Sequence, residues 1–494
     1  MNQLLEAVKS GSLSSFSSQS VKVYPQSLTT HEGTTLVMVK TDAGKRIVAT
    51  GAGELFDQLN GESIDGGKVC KLTHANRLVL NAFLPYTAPQ AFGTQVATMG
   101  LGDRLGIASP GHIQVIRGKD VKPVLAQQSI RELNLTGRTY EDVLDAACYA
   151  VFQEGYRDGF GADGDHLKKE EDIEYALRLG FTMLTLDCSE NIDNTVDSLS
   201  GEEVAAKYAQ LPEEVRSRYE ARYLEQEANV SGASLSFTRE SLMKDVLIYG
   251  EAVNFMESIY YKYIATLERA VDFEISIDET ATSTSPEAHY LVANELRERG
   301  VKIFSMAPRF CGEFQKGIDY IGDIVQFEKE LAAHAAIAVH FGYKLSIHSG
   351  SDKFSVFPLI GQYTKGLFHL KTAGTNWLEA VRVVAKVNPG LYRRMHQYAL
   401  EHFEEATAYY HVTTDIQAIA PLDQTSDAEL PAYMNEDNAR QLLHITYGIL
   451  LQAKNEDGSK KFADEFFKTL SEQEDVFSEG LKQHIGKHLE LLGK

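Results

Sequence analysis

The sequence predicts an α/β protein: a TIM-type (β/α)8 barrel with a β-rich N-terminal extension and a helical C-terminal extension. Three observations predict it. From about residue 101, short apolar runs alternate with amphipathic helices. Each of those runs ends in a polar cluster, and the first hundred residues have a different, hairpin-rich texture. Repeated strand–helix alternation demands parallel pairing, because each crossover helix returns the chain to the same end of the sheet. So many units favour closure into a barrel over the open doubly wound sheet that the same alternation permits.

Residues 1–100 are expected to form the β-rich region. Thr35–Lys40 and Lys45–Thr50 flank the turn Thr41-Asp42-Ala43-Gly44, which reads as a hairpin. Residues 101–420 are expected to form the barrel. Its strands are placed at Phe181–Leu186, Val271–Ile277, Val301–Met306, Tyr343–His348, Leu367–Lys371 and His411–Asp415, with two more near Val124 and Phe160. One helix opens at Thr139 as N-cap, carries Tyr140, Val143, Leu144, Ala147 and Val151 on one face, and closes at Gly155. Another starts at Ser285-Pro286 and stops at Gly300. A long acidic helical insertion near residues 189–239, with Glu202-Glu203, Glu213-Glu214 and Glu225-Gln226-Glu227, interrupts one βα connection. It reads as a solvated insertion or as a lid. Residues 421–494 are helical and are expected to pack on the barrel.

Composition narrows the function. The 494 residues are 43% apolar and 24% charged, as in ordinary globular proteins. No run nears the roughly eighteen apolar residues of a membrane span, and Met1–Glu6 lacks a signal-peptide layout, so a cytoplasmic location is expected. Cys70, Cys148, Cys188 and Cys311 lie far apart, without a CxxC pair, and suit a reducing compartment. With 48 basic against 69 acidic residues the formal charge is −21, which argues against a nucleic-acid partner. A small anionic substrate would need its own local cations. A homo-oligomer is compatible with all of this.

In a barrel, the reacting groups gather at the C-terminal ends of the strands. The richest such end is Gly159–Lys168, where Asp165, His166 and Lys168 offer a base, a metal ligand and a cation; a capped turn with surface charges is the plainer reading. His348 ends another strand, where a neutral imidazole suits a metal, although a hydrogen-bonded core histidine fits too. Glu274 sits inside an apolar strand, so it must pair with a cation or carry a raised pKa, as a general acid needs. Asp278 and Glu279 are alternative acids. Arg309, Lys353 and Lys371 are candidates for gripping a substrate carboxylate, and Lys316 offers a further point charge. Chemistry alone favours Glu313 over the neutral amide of Gln315 as a third metal ligand.

The segments Phe92–Gln95, Gly102–Gly106, Gly161–Lys168, Thr185–Glu190, Phe273–Thr280, Glu313–Gly317 and Ser346–Asp352 resemble the tagaturonate/fructuronate epimerases, most clearly over residues 90–415. The resemblance implies a metal-dependent epimerase of hexuronate catabolism that interconverts two keto-uronates. It implies Asp165 as proton acceptor and Glu274 as proton donor, with His166, Gln315 and His348 as ligands to a divalent cation, which sets Gln315 above Glu313. Two histidines favour a transition ion such as zinc, manganese, nickel or cobalt over calcium.

The two keto-uronates differ at a hydroxyl-bearing carbon β to the ketone, which simple enolisation does not acidify. Retro-aldol opening and reclosure does invert it. The oxidative alternative needs a nicotinamide, and Gly100–Gly106 misses the GxGxxG spacing by one residue. Rival readings are a class II aldolase, another metal-dependent sugar epimerase, and a non-catalytic sugar-acid binding protein.

Overall fold

The structure is a computed structural model that describes residues 2–13, 16–64, 66–224, 228–230, 233–280 and 282–494. Eight parallel strands close into a barrel in chain order: β1 (Thr98–Gly100), β2 (Lys122–Ser129), β3 (Gly161–Leu167), β4 (Met183–Asp187), β5 (Asp272–Ile277), β6 (Ser305–Pro308), β7 (Lys344–Ile347) and β8 (Phe368–Lys371). A helix follows each strand, as a right-handed βα repeat requires. Along each strand, successive side chains alternate between the two sides of the barrel wall. Phe273, Ile275 and Ile277 of β5, and Leu345 and Ile347 of β7, belong to the apolar core beneath the helices. Glu274 of β5, Lys344 of β7 and Lys371 of β8 hydrogen-bond across the interior. The lumen is polar and must satisfy itself.

The helix Tyr140–Glu154 has a Thr139–Asp142 capping box and ends on Gly155 in the left-handed region, as expected. The helix Pro286–Glu298 is capped by Ser285. Two strand assignments need correction. Residues 411–415 form no strand, because side chains from neighbouring elements meet their backbone: Thr413 N donates to Gln315 Oε1 (3.0 Å) and Asp415 N to Asn438 Oδ1 (2.9 Å). The eighth strand is instead Thr98–Gly100, three residues long and too short to show an alternation. Gly100 is packed so tightly that a Cβ there would lie 2.1 Å from Gln127 Oε1.

The N-terminal region is a five-stranded antiparallel sheet, with Thr34–Thr41 and Gly44–Gly51 as the expected hairpin. One face (Val37, Val39, Val48) packs on Leu4, Leu5 and Val8 of the first helix. The other (Leu36, Met38, Ile47) packs with Tyr149 and Phe152 of a barrel helix. The insertion after β4 holds helices Gly201–Tyr208 and Glu213–Tyr223, which pack through Tyr208, Tyr219 and Tyr223 against Leu242, Val246 and Leu291. Glu225, Gln226 and Glu227 lie outside the described residues. None of the described insertion residues lines the barrel mouth.

The C-terminal helices Ala463–Glu472 and Glu474–Leu491 lean on the barrel and reach the N-terminal sheet. The sheet is pinned there by Glu474, which meets Lys45 Nζ at 2.6 Å and accepts from Tyr24 Oη at 2.7 Å. Burial opposes ionisation of Glu474, but Lys45, Tyr24 and Lys22 hold its pKa down at about 2. A depressed carboxylate stabilises the fold above its unfolded pKa, near 4.5, and loses that contribution as pH falls toward 2. Glu474→Gln should therefore cost about 2 kcal/mol at neutral pH. The gap in Tm to wild type should close as the pH is lowered from about 4.5 toward 2 in a calorimetric series.

Candidate active site at the barrel mouth

β3 contributes Asp163 and Asp165, two residues apart and so on one face of the strand. Strict alternation would send His166 outward. The chain instead takes a left-handed conformation at His166 (φ 53°), and the pairing with β4 slips between Gly164 and Leu167. This irregularity turns both Asp165 and His166 into the mouth, as bulges beside active sites do. β4 adds Thr185 and Asp187, β5 adds Glu274, β8 adds Lys371, and the residue after β7 is His348.

Lys371 is the hub. Its ammonium lies 2.6 Å from Asp165, 2.8 Å from Glu274 and 3.0 Å from Asp163, all buried. Thr185 Oγ1 lies 3.1 Å from both Asp163 and Glu274, and Ser305 Oγ donates to Glu274. Burial pushes Asp163 up to about 6 against the pull of Lys371. For Asp165 and Glu274 burial is overcome: Lys371 and nearby histidines hold both well below the ordinary carboxylate range.

His166 and His348 each have a carboxylate behind them. His166 Nδ1 lies 3.2 Å from Asp187, and His348 Nδ1 lies 3.2 Å from Asp278. The other nitrogen of each faces a carboxylate that Lys371 holds: His348 Nε2 is 2.8 Å from Glu274 and His166 Nε2 is 3.9 Å from Asp165. Carboxylate-backed histidines are the usual support of metal ligands. Burial opposes protonation of His348, but Asp278 and Glu274 raise its pKa to about 10. Asp165 and Asp187 likewise raise His166. His166, Asp187 and Glu279 also have donor atoms within 4.8 Å of one another. There the Lys168 ammonium, 3.6 Å from Asp187 and 3.7 Å from Glu279, already supplies a cation.

These groups open into a cavity of about 400 Å³, within the range of small-molecule sites. Arg309, Lys316, Arg131 and the aromatic cover Tyr409-Tyr410 also line it. A family model described as tagaturonate epimerase matches residues 24–492. The chain belongs to the tagaturonate epimerase family. The tagaturonate/fructuronate epimerase of Thermotoga maritima is 41% identical over 476 residues, covering 95% of this chain and 97% of that protein. The fructuronate-tagaturonate epimerase UxaE of Cohnella laeviribosi is 65% identical. Its native and one-glycerol crystal structures each cover 100% of this chain and 99% of their own, with a TM-score of 0.96. Membership of this family makes the protein a carbohydrate epimerase, an isomerase, on a TIM-type barrel.

Of the residues singled out from sequence, the fold brings Asp165, His166, Glu274, His348 and Lys371 into one cluster, and Gln315 and Arg309 onto the same cavity. One open alternative is decided and two expectations change. Glu274 has no raised pKa, because Lys371, His369 and His348 surround it. Lys371 is engaged by three carboxylates rather than standing as a free cation. Lys353 does not line the cavity: it is fully buried and donates to the carbonyls of Gln315, Ile318 and Ser351, with burial lowering its pKa to about 7. The glycine-rich run near Gly100 folds around Asp103, whose carboxylate accepts from the backbone N–H groups of Leu105, Gly106, Ala108 and Ser109. Asp163, Asp187 and Arg131 were not singled out. Asp163 was detectable, since it lies two residues before Asp165 in the same strand.

Removing the hub should leave three carboxylates facing one another without a cation. Lys371→Met should abolish measurable turnover. Its loss of Tm should widen as pH rises and the crowded carboxylates are forced to ionise, because their folded pKa values then lie above the unfolded ones. Melting curves across pH on wild type and variant check this.

Proposed function

We propose that the protein interconverts D-tagaturonate and D-fructuronate in hexuronate catabolism, by retro-aldol opening and reclosure between Asp165 and Glu274. The observation that carries the mechanism is the pair of ionised carboxylates bridged by one ammonium, 2.6 and 2.8 Å away, beside two carboxylate-backed histidines. Asp165, held ionised, takes the proton of the hydroxyl β to the ketone. The adjacent carbon–carbon bond then breaks, its electron pair leaving as an enediolate and its other carbon as an aldehyde. The aldehyde turns its other face, the bond re-forms, and Glu274 delivers a proton to the new alkoxide. Glu274 is itself ionised at rest, so it enters the cycle by receiving a proton. Lys371 touches both carboxylates and is placed to return it from Asp165.

A divalent transition metal fits this site, with His166 and His348 as ligands and Gln315 as the third. When bound, it supplies Lewis-acid polarisation of the ketone oxygen. The two imidazoles suit the role, since Asp187 and Asp278 fix their orientation. Gln315 must first be released: its amide oxygen accepts from Thr413 N, Thr413 Oγ1 and Gln441 Nε2, and its amide nitrogen donates to Glu313. The substrate is a small keto-uronate. No described helix is long and apolar enough to cross a membrane, in keeping with a cytoplasmic role.

Two experiments test this reading. Tagaturonate incubated with metal-loaded protein in heavy water should yield fructuronate by NMR, without deuterium at the inverted carbon. Label at that carbon would exclude the retro-aldol route and leave the epimerase standing; no fructuronate at all would remove the activity. In the second, His166→Ala and His348→Ala should each lower bound metal in elemental analysis. Asp165→Asn should keep the metal and lose about 10²- to 10⁴-fold in kcat. Loss of metal from Asp165→Asn would make Asp165 a ligand instead.

A further inference from the structure

Not every cation of the cavity has a carboxylate partner. Five line it: Arg104, Arg131, Arg309, Lys316 and Lys371. Lys371 is matched by its three carboxylates, and Arg104 by the buried Glu132. Arg309 donates to the Thr280 carbonyl. Among the described residues, none of Arg309, Lys316 and Arg131 has a carboxylate at ion-pair distance, and of the three only the Arg309 guanidinium is engaged by a backbone carbonyl. Lys316 Nζ bonds the Ser349 hydroxyl at 2.8 Å, which leaves an ammonium with two further donors. The Arg131 guanidinium rests on the ring of Tyr410 at 5.0 Å, in the cover of the mouth. Burial lowers the pKa of Lys316, and Arg104 and Arg131 lie close enough to repel its ammonium while Glu132 and Asp165 lie close enough to attract it. In a chain of net charge −21, such a concentration of unmatched cations is opposite to the average surface. It falls in the cavity that holds Asp165 and His348, and Ser349, the partner of Lys316, directly follows His348.

We infer that Lys316 and Arg131 form the subsite that grips the substrate carboxylate. This deepens the epimerase reading and rests on it. The planar Arg131 fork takes two carboxylate oxygens, and Lys316 adds a point charge. The arrival of an anion relieves the repulsion between them. The carboxylate is thereby directed to the cationic side of the cavity, while the ketone and hydroxyls meet the acidic and imidazole side. The same mouth thus selects uronates over neutral sugars and fixes which way round they bind.

The test compares tagaturonate with the uncharged ketohexose that carries a hydroxymethyl group in place of the carboxylate. Lys316→Met and Arg131→Gln should each raise KM for tagaturonate about 10- to 100-fold, with kcat changed less. They should leave kcat/KM for the ketohexose within about twofold, and Lys316→Arg should recover most of the lost affinity. Isothermal titration with tagaturonate reads the same change as a weaker Kd. Arg131 is exposed, so Arg131→Gln keeps the fold even if Lys316→Met does not. Equal losses on both sugars, or an unchanged KM for tagaturonate, would overturn the subsite alone. A selectivity change that follows Arg309→Met instead would place the carboxylate there and also overturn it. Wild-type protein inert toward tagaturonate would overturn the epimerase reading, and the subsite with it.

Discussion

The barrel closes around a buried ammonium, and the rest of the site is arranged to make that charge tolerable. Lys371 meets Asp163, Asp165 and Glu274 within 3.0 Å, with a side chain only 4% exposed. Each such pair is worth on the order of 4–6 kcal/mol in a medium of intermediate dielectric, against a desolvation cost of several kcal/mol per ion. The balance favours burial only because the partners are shared and hydrogen-bonded, with Thr185 and Ser305 filling the remaining positions. Three carboxylates to one ammonium leave a surplus of negative charge. Part of it is relieved at Asp163, where burial favours the protonated form. Together with Asp187 and Asp278, the rest raises the pKa of His166 and of His348, and would favour a divalent cation beside them.

Much of this was legible in the chain because barrel topology converts position into place. A polar residue at the end of an apolar run points to the mouth, and Asp165, His166, Glu274 and His348 could be found without knowing any contact. What one strand cannot state is its partner. Glu274 was correctly read as needing a cation or a proton, and the choice was decided by Lys371, which is 97 residues away along the chain and three strands around the ring. Lys353 and Lys371 were read as free cations for the same reason. A lysine's sequence neighbours do not show whether carbonyls or carboxylates have already claimed it. The β-prone segment His411–Asp415 failed differently. Its pattern is strand-like, but the barrel was already complete with Thr98–Gly100, a strand too short to announce itself.

The C-terminal helices do more than cover the barrel. The helix Asp437–Ile445 directs Arg440, Gln441 and His444 at three different βα loops. Arg440 Nε donates to Gly317 O at 2.6 Å and its Nη2 meets Asp352 at 2.6 Å. Gln441 donates to Gln315, and His444 packs so closely on Gly374 that a Cβ there would lie 2.0 Å from its ring. The helix Glu474–Leu491 adds a second hold on Asp352, through His484 at 2.9 Å and through His488, which accepts the Asp352 N–H at 3.1 Å.

Asp352, His484 and His488 have donor atoms close enough together to suggest a second metal centre. The distribution of their bonds argues for a strut instead. Arg440 occupies one carboxylate oxygen, His484 faces the other, and the Nε2 lone pair of His488 is spent on a backbone N–H. Asp352 itself sits in the left-handed region (φ 63°), a conformation its surroundings must enforce. The loop it fixes begins at His348 and carries Ser349, the partner of Lys316. The loops that present the histidine and the unmatched lysine are therefore held by a region some hundred residues further along the chain. The last helix is thus part of what holds the mouth in shape.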